Sequence, residues 1–133
     1  MRKELWKAIK AKLESDVPEV KHIDLWNHNV EYIDQEDVWE RPAVFVEFDT
    51  ITWEPFSGRG QRGKGLVNIH LVTDWTEGGH DAAFDLSRRV HDALSGLNCE
   101  GAYGMALAST RTNHNHEDIL ESVDSYAVRY LCY

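Results

Sequence analysis

The sequence predicts an α+β domain in which an antiparallel-rich sheet carries two helices packed on one face. Two segments have apolar residues at helical spacing, and five segments are predicted to be strands, four of them with apolar residues at alternate positions. Their order is α-β-β-β-α-β-β, and such a chain most simply folds with an antiparallel-rich sheet. The chain has 133 residues and no internal repeat or low-complexity segment. We therefore expect residues 1–133 to form a single domain.

The first helix is predicted over residues 3–14, where Leu5, Ile9 and Leu13 are spaced by four. It must end near Val17, because Pro18 disfavours helical geometry at the preceding residue. A first strand is expected over residues 20–26.

The second strand begins after Pro42 and changes phase along its length. Val44, Val46 and Phe48 share one face, whereas Ile51 and Trp53 fall on the other. This phase change predicts either a β-bulge or a hairpin that leaves the sheet.

A long central hairpin loop is predicted next, over residues 57–65. It contains four glycines, and its three cations stand out in an acidic chain: Arg59, Arg62 and Lys64. Because glycine permits positive φ and brings no side chain to bury, we expect this loop to project from the sheet and to be mobile in the free subunit.

The same loop nearly matches a phosphate-binding signature, since Gly58 to Lys64 fits G-x-x-x-x-G-K. However, Gly65 stands where Ser or Thr would hold magnesium, and residues 66–75 alternate as a third strand where a helix would be needed. We therefore interpret the segment as a β-hairpin. A second helix over residues 81–96 and strands over residues 103–112 and 123–133 complete the prediction.

Composition narrows the function classes. The net charge is −9, so nucleic acid would be repelled by most of the surface, and we expect no specific nucleic-acid partner. No apolar run is long enough for a membrane span, and the charged first helix does not resemble a signal peptide, which favours a cytoplasmic protein without a membrane partner. Cys99 and Cys132 are too few and too far apart for a disulfide scaffold.

The histidines invite a metal hypothesis, chiefly at His114 and His116 in the segment TRTNHNHED. A metal site usually draws three or four ligands from supported positions, and this segment is predicted to be a loop. Only Glu117, Asp118 and His80 could add ligands. We expect no metal and no cofactor, and a small metal-dependent enzyme or ligand-binding module using this loop remains the alternative function.

The pattern as a whole resembles the tail terminator and tail completion proteins of long-tailed bacteriophages. The similarity lies in the first helix ending in V-P, the P-A-V-F-V-E-F strand from Pro42, the basic glycine hairpin, the N-I-H-L-V strand from Asn68, and the closing Y-A-V-R-Y strand from Tyr126. The resemblance implies a hexameric ring at the head-proximal end of the tail tube, which stops tail polymerisation and joins tail to head. It also implies a virion protein without enzymatic activity, assembled in the host cytoplasm, with other tail or connector proteins as partners.

We predict that the ring forms through the hairpin and nearby aromatic residues. The candidate assembly residues are Arg59, Arg62, Lys64, Trp53, Phe56 and Trp39. Residues 31–40 (EYIDQEDVWE) are acidic without a basic residue, so they could pair with the basic hairpin of a neighbouring copy. Such pairing would set register more than affinity.

Overall fold

The computed structural model describes residues 1–27, 39–74, 80–116 and 119–132, with the backbone alone for residues 114–116. Within these residues, two helices and one five-stranded sheet follow in the predicted order, which confirms the α+β class. The elements are α1 Arg2–Asp16, β1 His22–Leu25, β2 Ala43–Pro55, β3 Gln61–Asp74, α2 His80–Leu94, β4 Ala102–His116 and β5 Ile119–Cys132.

The spatial order of the strands is β1-β2-β3-β5-β4. β1 is parallel to β2, and the other neighbouring pairs are antiparallel. β3 is the central strand, because β5 pairs with it from Gln61 to Asp74 while β2 pairs along its other edge. The sheet is therefore antiparallel-rich, as expected.

Both helices pack on the same face of the sheet. Leu5, Ile9 and Leu13 of α1 and the stripe of α2 around Val90 join one buried apolar cluster with residues from β2, β3, β4 and β5. Burying each such side chain contributes about 1.5–3 kcal/mol, so this cluster supplies the main stabilisation of the sheet. We call this side the helix side, and the opposite side the helix-free face.

The phase change in β2 is a β-bulge. The register with β3 shifts between Phe48 and Ile51. After the shift Ile51 and Trp53 point to the helix side, where they pack against the same cluster as Phe48. The hairpin thus continues in the sheet, and the alternative, a hairpin that leaves it, is wrong.

The predicted long hairpin loop is wrong over residues 61–65. β3 begins at Gln61, so the connection spans only residues 56–60, closed by the N–H of Phe56 donating to the carbonyl of Gly60 at 2.8 Å. Ser57 and Gly58 adopt positive φ at this tip. Residues 61–65 pair with β2 on one edge and β5 on the other, so they do not form a projecting loop.

Gly63 and Gly65 serve close packing and do not adopt positive φ. A Cβ added at Gly63 would lie 2.9 Å from Cγ2 of Ile51 and 2.9 Å from Cε3 of Trp53, and one added at Gly65 would lie 2.9 Å from Cγ1 of Ile51. These glycines therefore make room for the apolar side chains of the adjacent strand.

The last two strands are longer than predicted. β4 continues to His116, and His116 pairs with Ile119 of β5, so residues 113–116 are strand and not the loop that we expected. The side chains of His114 and His116, residues 117–118 and Trp75 lie outside the described part of the chain. Residues 31–38 of the acidic segment also lie outside it.

Candidate functional site

The helix-free face carries a row of polar side chains across the hairpin end of the sheet. Thr52 lies opposite Lys64, Lys64 lies opposite Arg129, and Arg129 lies opposite Tyr103. In the adjacent row Glu54 lies opposite Arg62. The intervening residues point to the helix side, because side chains alternate along a strand.

These side chains line a groove of about 310 Å³. We call it the basic groove and define it by Thr52, Glu54, Arg62, Lys64, Tyr103 and Arg129. It brings three cations together in a chain whose net charge is −9. Field focusing by such a local concentration of charge attracts anions even when the whole protein is acidic.

Arg62 is partly neutralised inside the groove. Its Nε donates to Oε1 of Glu54, and its guanidinium lies 5.6 Å from the centre of the Phe56 ring. Both charged partners are more than half exposed, so this ion pair contributes little to folding stability. It does fix the direction of the Arg62 side chain.

Lys64 and Arg129 are different, because neither forms an ion pair with any residue that the structure describes. They are register partners on neighbouring strands, and both are exposed. Like charges directly opposite each other destabilise a sheet. An anion bound between them would remove that repulsion, so their arrangement suits a binding surface.

The structure brings some of the predicted assembly residues together and separates others. Arg62 and Lys64 lie in the basic groove, while Phe56 and Arg59 lie at the exposed hairpin tip. Trp53 also contributes to the lining of the groove, but its ring packs on the helix side, with its centre 6.0 Å from that of Tyr130.

Trp39 is buried, with 8 % of its surface exposed, although its position suggested an exposed interface residue. Its ring meets that of Phe45 edge-on at 4.9 Å, within a second apolar cluster on the helix-free face. Packing against Phe45 explains why this aromatic side chain is part of a core. Whether any of the six residues acts in assembly stays a prediction.

Sequence reasoning missed Arg129 and Tyr103. Alternation in the closing strand placed Arg129 on the face opposite Tyr126, Val128 and Tyr130, which was a usable signal. The register that sets Arg129 beside Lys64 and Tyr103 beside Arg129 could not be obtained from local pattern.

A buried polar network lies further along the helix-free face. His70 is 2 % exposed, with Nε2 2.8 Å from Oε1 of Glu47 and Nδ1 3.1 Å from Oε2 of Glu121. The indole of Trp26 stacks on the imidazole with ring centres 3.9 Å apart. Both ring nitrogens thus face carboxylates of neighbouring strands, and the network ties β2, β3 and β5 together.

The charge of Glu121 is stabilised in this network. Burial opposes its ionisation, but hydrogen bonds from His70 and from Nδ2 of Asn113 at 2.9 Å hold the pKa of Glu121 below its usual value. A buried carboxylate is tolerated only with such partners. The side chains of this network therefore help to hold the strands of the sheet together.

Among residues 1–27, 39–74, 80–113 and 119–132, no group of three or more His, Cys, Asp or Glu side chains is placed to hold a metal ion. Cys99 and Cys132 are free thiols. Within the described ranges, no helix is long and apolar enough to cross a membrane.

Comparison with known proteins shows a similarity in fold. The structure is similar to a chain from the virion of a native gene transfer agent particle, with a TM-score of 0.68 and 15% sequence identity over 98% of this chain and 97% of that chain. No family model matches the sequence. No curated protein matches it either. The two chains therefore share their fold over nearly their full lengths.

Proposed function

We propose that this protein is a structural component of a phage-like virion. The observation that carries the proposal is the fold shared, over nearly the whole chain, with a protein of the virion of a gene transfer agent. The sequence resemblance to tail terminator and completion proteins supports a narrower role. In that role the protein forms a hexameric ring at the head-proximal end of the tail tube, and it contacts neighbouring tail or connector proteins without catalysing a reaction.

A ring requires two different, complementary patches on each subunit, because each copy must bind the next in a head-to-tail manner. The basic groove and the hairpin tip supply one patch. We propose direct contacts for Arg59, Arg62, Lys64 and Phe56, which are exposed, and a supporting role for Trp53 and Trp39, which pack inward. An acidic surface on the partner would be complementary.

The mass of the purified protein, measured by light scattering, tests the ring. We expect particles of six times 15.3 kDa at low salt, with ring-shaped images in negative-stain electron microscopy. Raising the ionic strength should reduce assembly, because exposed charges are screened within about 8–10 Å at 0.1–0.15 M salt. A protein that stays monomeric at low salt, and that also fails to bind purified tail tubes, would contradict the proposal.

Two variants that lose the same number of charges distinguish a role of the hairpin in assembly from a general effect of net charge. The triple change Arg59→Gln, Arg62→Gln and Lys64→Gln should reduce assembly. Exposed lysines on α1 provide the control, with the changes Lys3→Gln, Lys7→Gln and Lys10→Gln. Both variants lose three positive charges from exposed positions, so both should fold with stability changes of roughly 0.5 kcal/mol or less per site. Equal assembly by the two variants would remove the hairpin from the mechanism.

A further inference from the structure

We propose that the basic groove binds the acidic segment of residues 31–40 from a second copy of this chain. The inference rests on the proposed function and names the contact that would join neighbouring subunits. Lys64 and Arg129 are the principal cations of the groove, since Arg62 already has Glu54 as its partner.

The groove offers charge and apolar surface together. Lys64 and Arg129 stand side by side without anionic partners among the described residues, while Tyr103 and Leu66 next to them are 39% and 38% exposed. A purely ionic ligand would leave these apolar surfaces in water. The groove therefore suits a segment that carries both carboxylates and apolar side chains.

Residues 31–40 have this composition. Five of the ten are acidic and none is basic, and apolar residues stand between them: the sequence is EYIDQEDVWE. Asp34 and Glu36 are two residues apart, and alternate residues of an extended chain lie about 6.6 Å apart. Lys64 and Arg129 lie opposite each other on adjacent strands about 4.8 Å apart, so their long side chains can reach two carboxylates at that spacing.

The segment of the same copy is poorly placed to occupy the groove. Trp39 packs on Phe45, whereas the groove begins at Thr52, seven residues further along the strand, or about 23 Å. The backbone of Asp34 can lie at most about 18 Å from that of Trp39, and that of Glu36 about 11 Å. The backbones of these two acids therefore fall short of their own copy's groove, a limit that does not apply to the groove of a second copy.

Nucleic acid is a weaker fit than a protein carboxylate. The groove and the hairpin tip together hold four cations, Arg59, Arg62, Lys64 and Arg129, against a net charge of −9. Binding to a phosphate backbone depends on neutralising many phosphates, and most of this surface would repel them.

A peptide titration tests the contact without relying on assembly. A fluorescein-labelled peptide of residues 30–41 is titrated with the full chain at low salt, and binding is followed by anisotropy. We expect saturable binding, and about tenfold weaker binding for the variant Lys64→Ser with Arg129→Ser, because two direct charge contacts are lost. The control variant, Lys3→Ser with Lys7→Ser, should bind like the wild type.

Two probes check the chemistry of the occupant. A peptide with Asp and Glu replaced by Asn and Gln should not bind, because its apolar residues alone cannot satisfy the two cations. A single-stranded oligonucleotide should bind more weakly than the acidic peptide. Unchanged binding by Lys64→Ser with Arg129→Ser, binding of the neutral peptide, or preference for the oligonucleotide would each overturn the proposal.

A charge exchange then connects the contact to assembly. Chains with Lys64→Glu and Arg129→Glu should fail to assemble alone, and so should chains with Asp34→Lys and Glu36→Lys. Mixed together, they should assemble, because each groove then meets a segment of opposite charge. If the wild type forms rings and the groove variants form them equally well, the groove proposal fails while the ring stands. If the peptide binds but the wild type stays monomeric, the groove recognises the acidic segment, but the ring and the contact between copies both fail.

Discussion

The substitution Gly63→Ala probes how tightly the base of the hairpin is packed. The new Cβ would lie 2.9 Å from Cγ2 of Ile51 and from Cε3 of Trp53. Ile51 is β-branched and stiff at χ1, and the Trp53 ring packs near Tyr130, so neither can move freely. Overpacking of this kind costs about 1–3 kcal/mol. Alanine also lowers the conformational entropy of the unfolded chain, which stabilises the folded state by about 0.4–1 kcal/mol.

We therefore expect Gly63→Ala to lower the free energy of unfolding by about 1–2 kcal/mol. Urea denaturation followed by circular dichroism, at a concentration where the protein is monomeric, measures this as a lower midpoint at unchanged slope. In an Ile51→Ala background the loss should shrink by about 1 kcal/mol, because the Trp53 ring can shift into the vacated space.

Gly58→Ala is the matched control. Gly58 has φ +64° and open space around its added Cβ, so its cost of about 1–2 kcal/mol comes from the backbone alone. That cost should be the same in the Ile51→Ala background. A Gly63→Ala protein as stable as the wild type, or a loss that Ile51→Ala leaves unchanged, would refute the packing argument.

Three further predictions concern stability and accessibility. The Tyr126 side chain is fully buried and its hydroxyl has no hydrogen-bond partner among the described residues, so Tyr126→Phe should raise the free energy of unfolding by about 1 kcal/mol. A lower free energy of unfolding in the same urea assay would contradict this. The pKa of Glu121 in the folded protein is below its usual 4.5. Ionised Glu121 therefore stabilises the fold above pH 4.5, and this stabilisation is lost as the pH falls through the pKa of the folded state. In Glu121→Gln the free energy of unfolding should therefore fall less steeply at acid pH than in the wild type. Parallel curves for the two proteins would contradict the role of the network. Trypsin should cut after Arg59 well before Arg62 or Lys64, which lie in a strand paired on both edges, and equal cleavage rates would show that this end of the sheet opens.

Periodicity predicted the elements well where burial on one face dominates. The stripes of Leu5, Ile9 and Leu13 and of α2 located both helices, since one-sided burial selects the helical period. The phase change before Ile51 predicted the bulge as one of two alternatives, because the buried face of the strand changes there. These signals are local, so one sequence suffices to detect them.

The hairpin was mispredicted because glycine has two structural uses. Gly58 allows a positive φ, whereas Gly63 makes room for Ile51 and Trp53, and composition alone does not separate these cases. The burial of Trp39 and the pairing of Lys64 with Arg129 depend on contacts between distant parts of the chain. Such contacts require the sheet register, which local pattern does not contain.

Because the strands beneath the basic groove are paired on both sides at β3, the groove exists before a partner arrives. A mobile loop would have lost backbone freedom on binding, at about 1–2 kcal/mol for each ordered residue. Here the loss is confined to a few side chains such as Lys64 and Arg129, at about 0.5–1.5 kcal/mol each. The entropic cost of ordering the groove itself should consequently be small, and the amide exchange rates of residues 61–65 should be nearly unchanged on association.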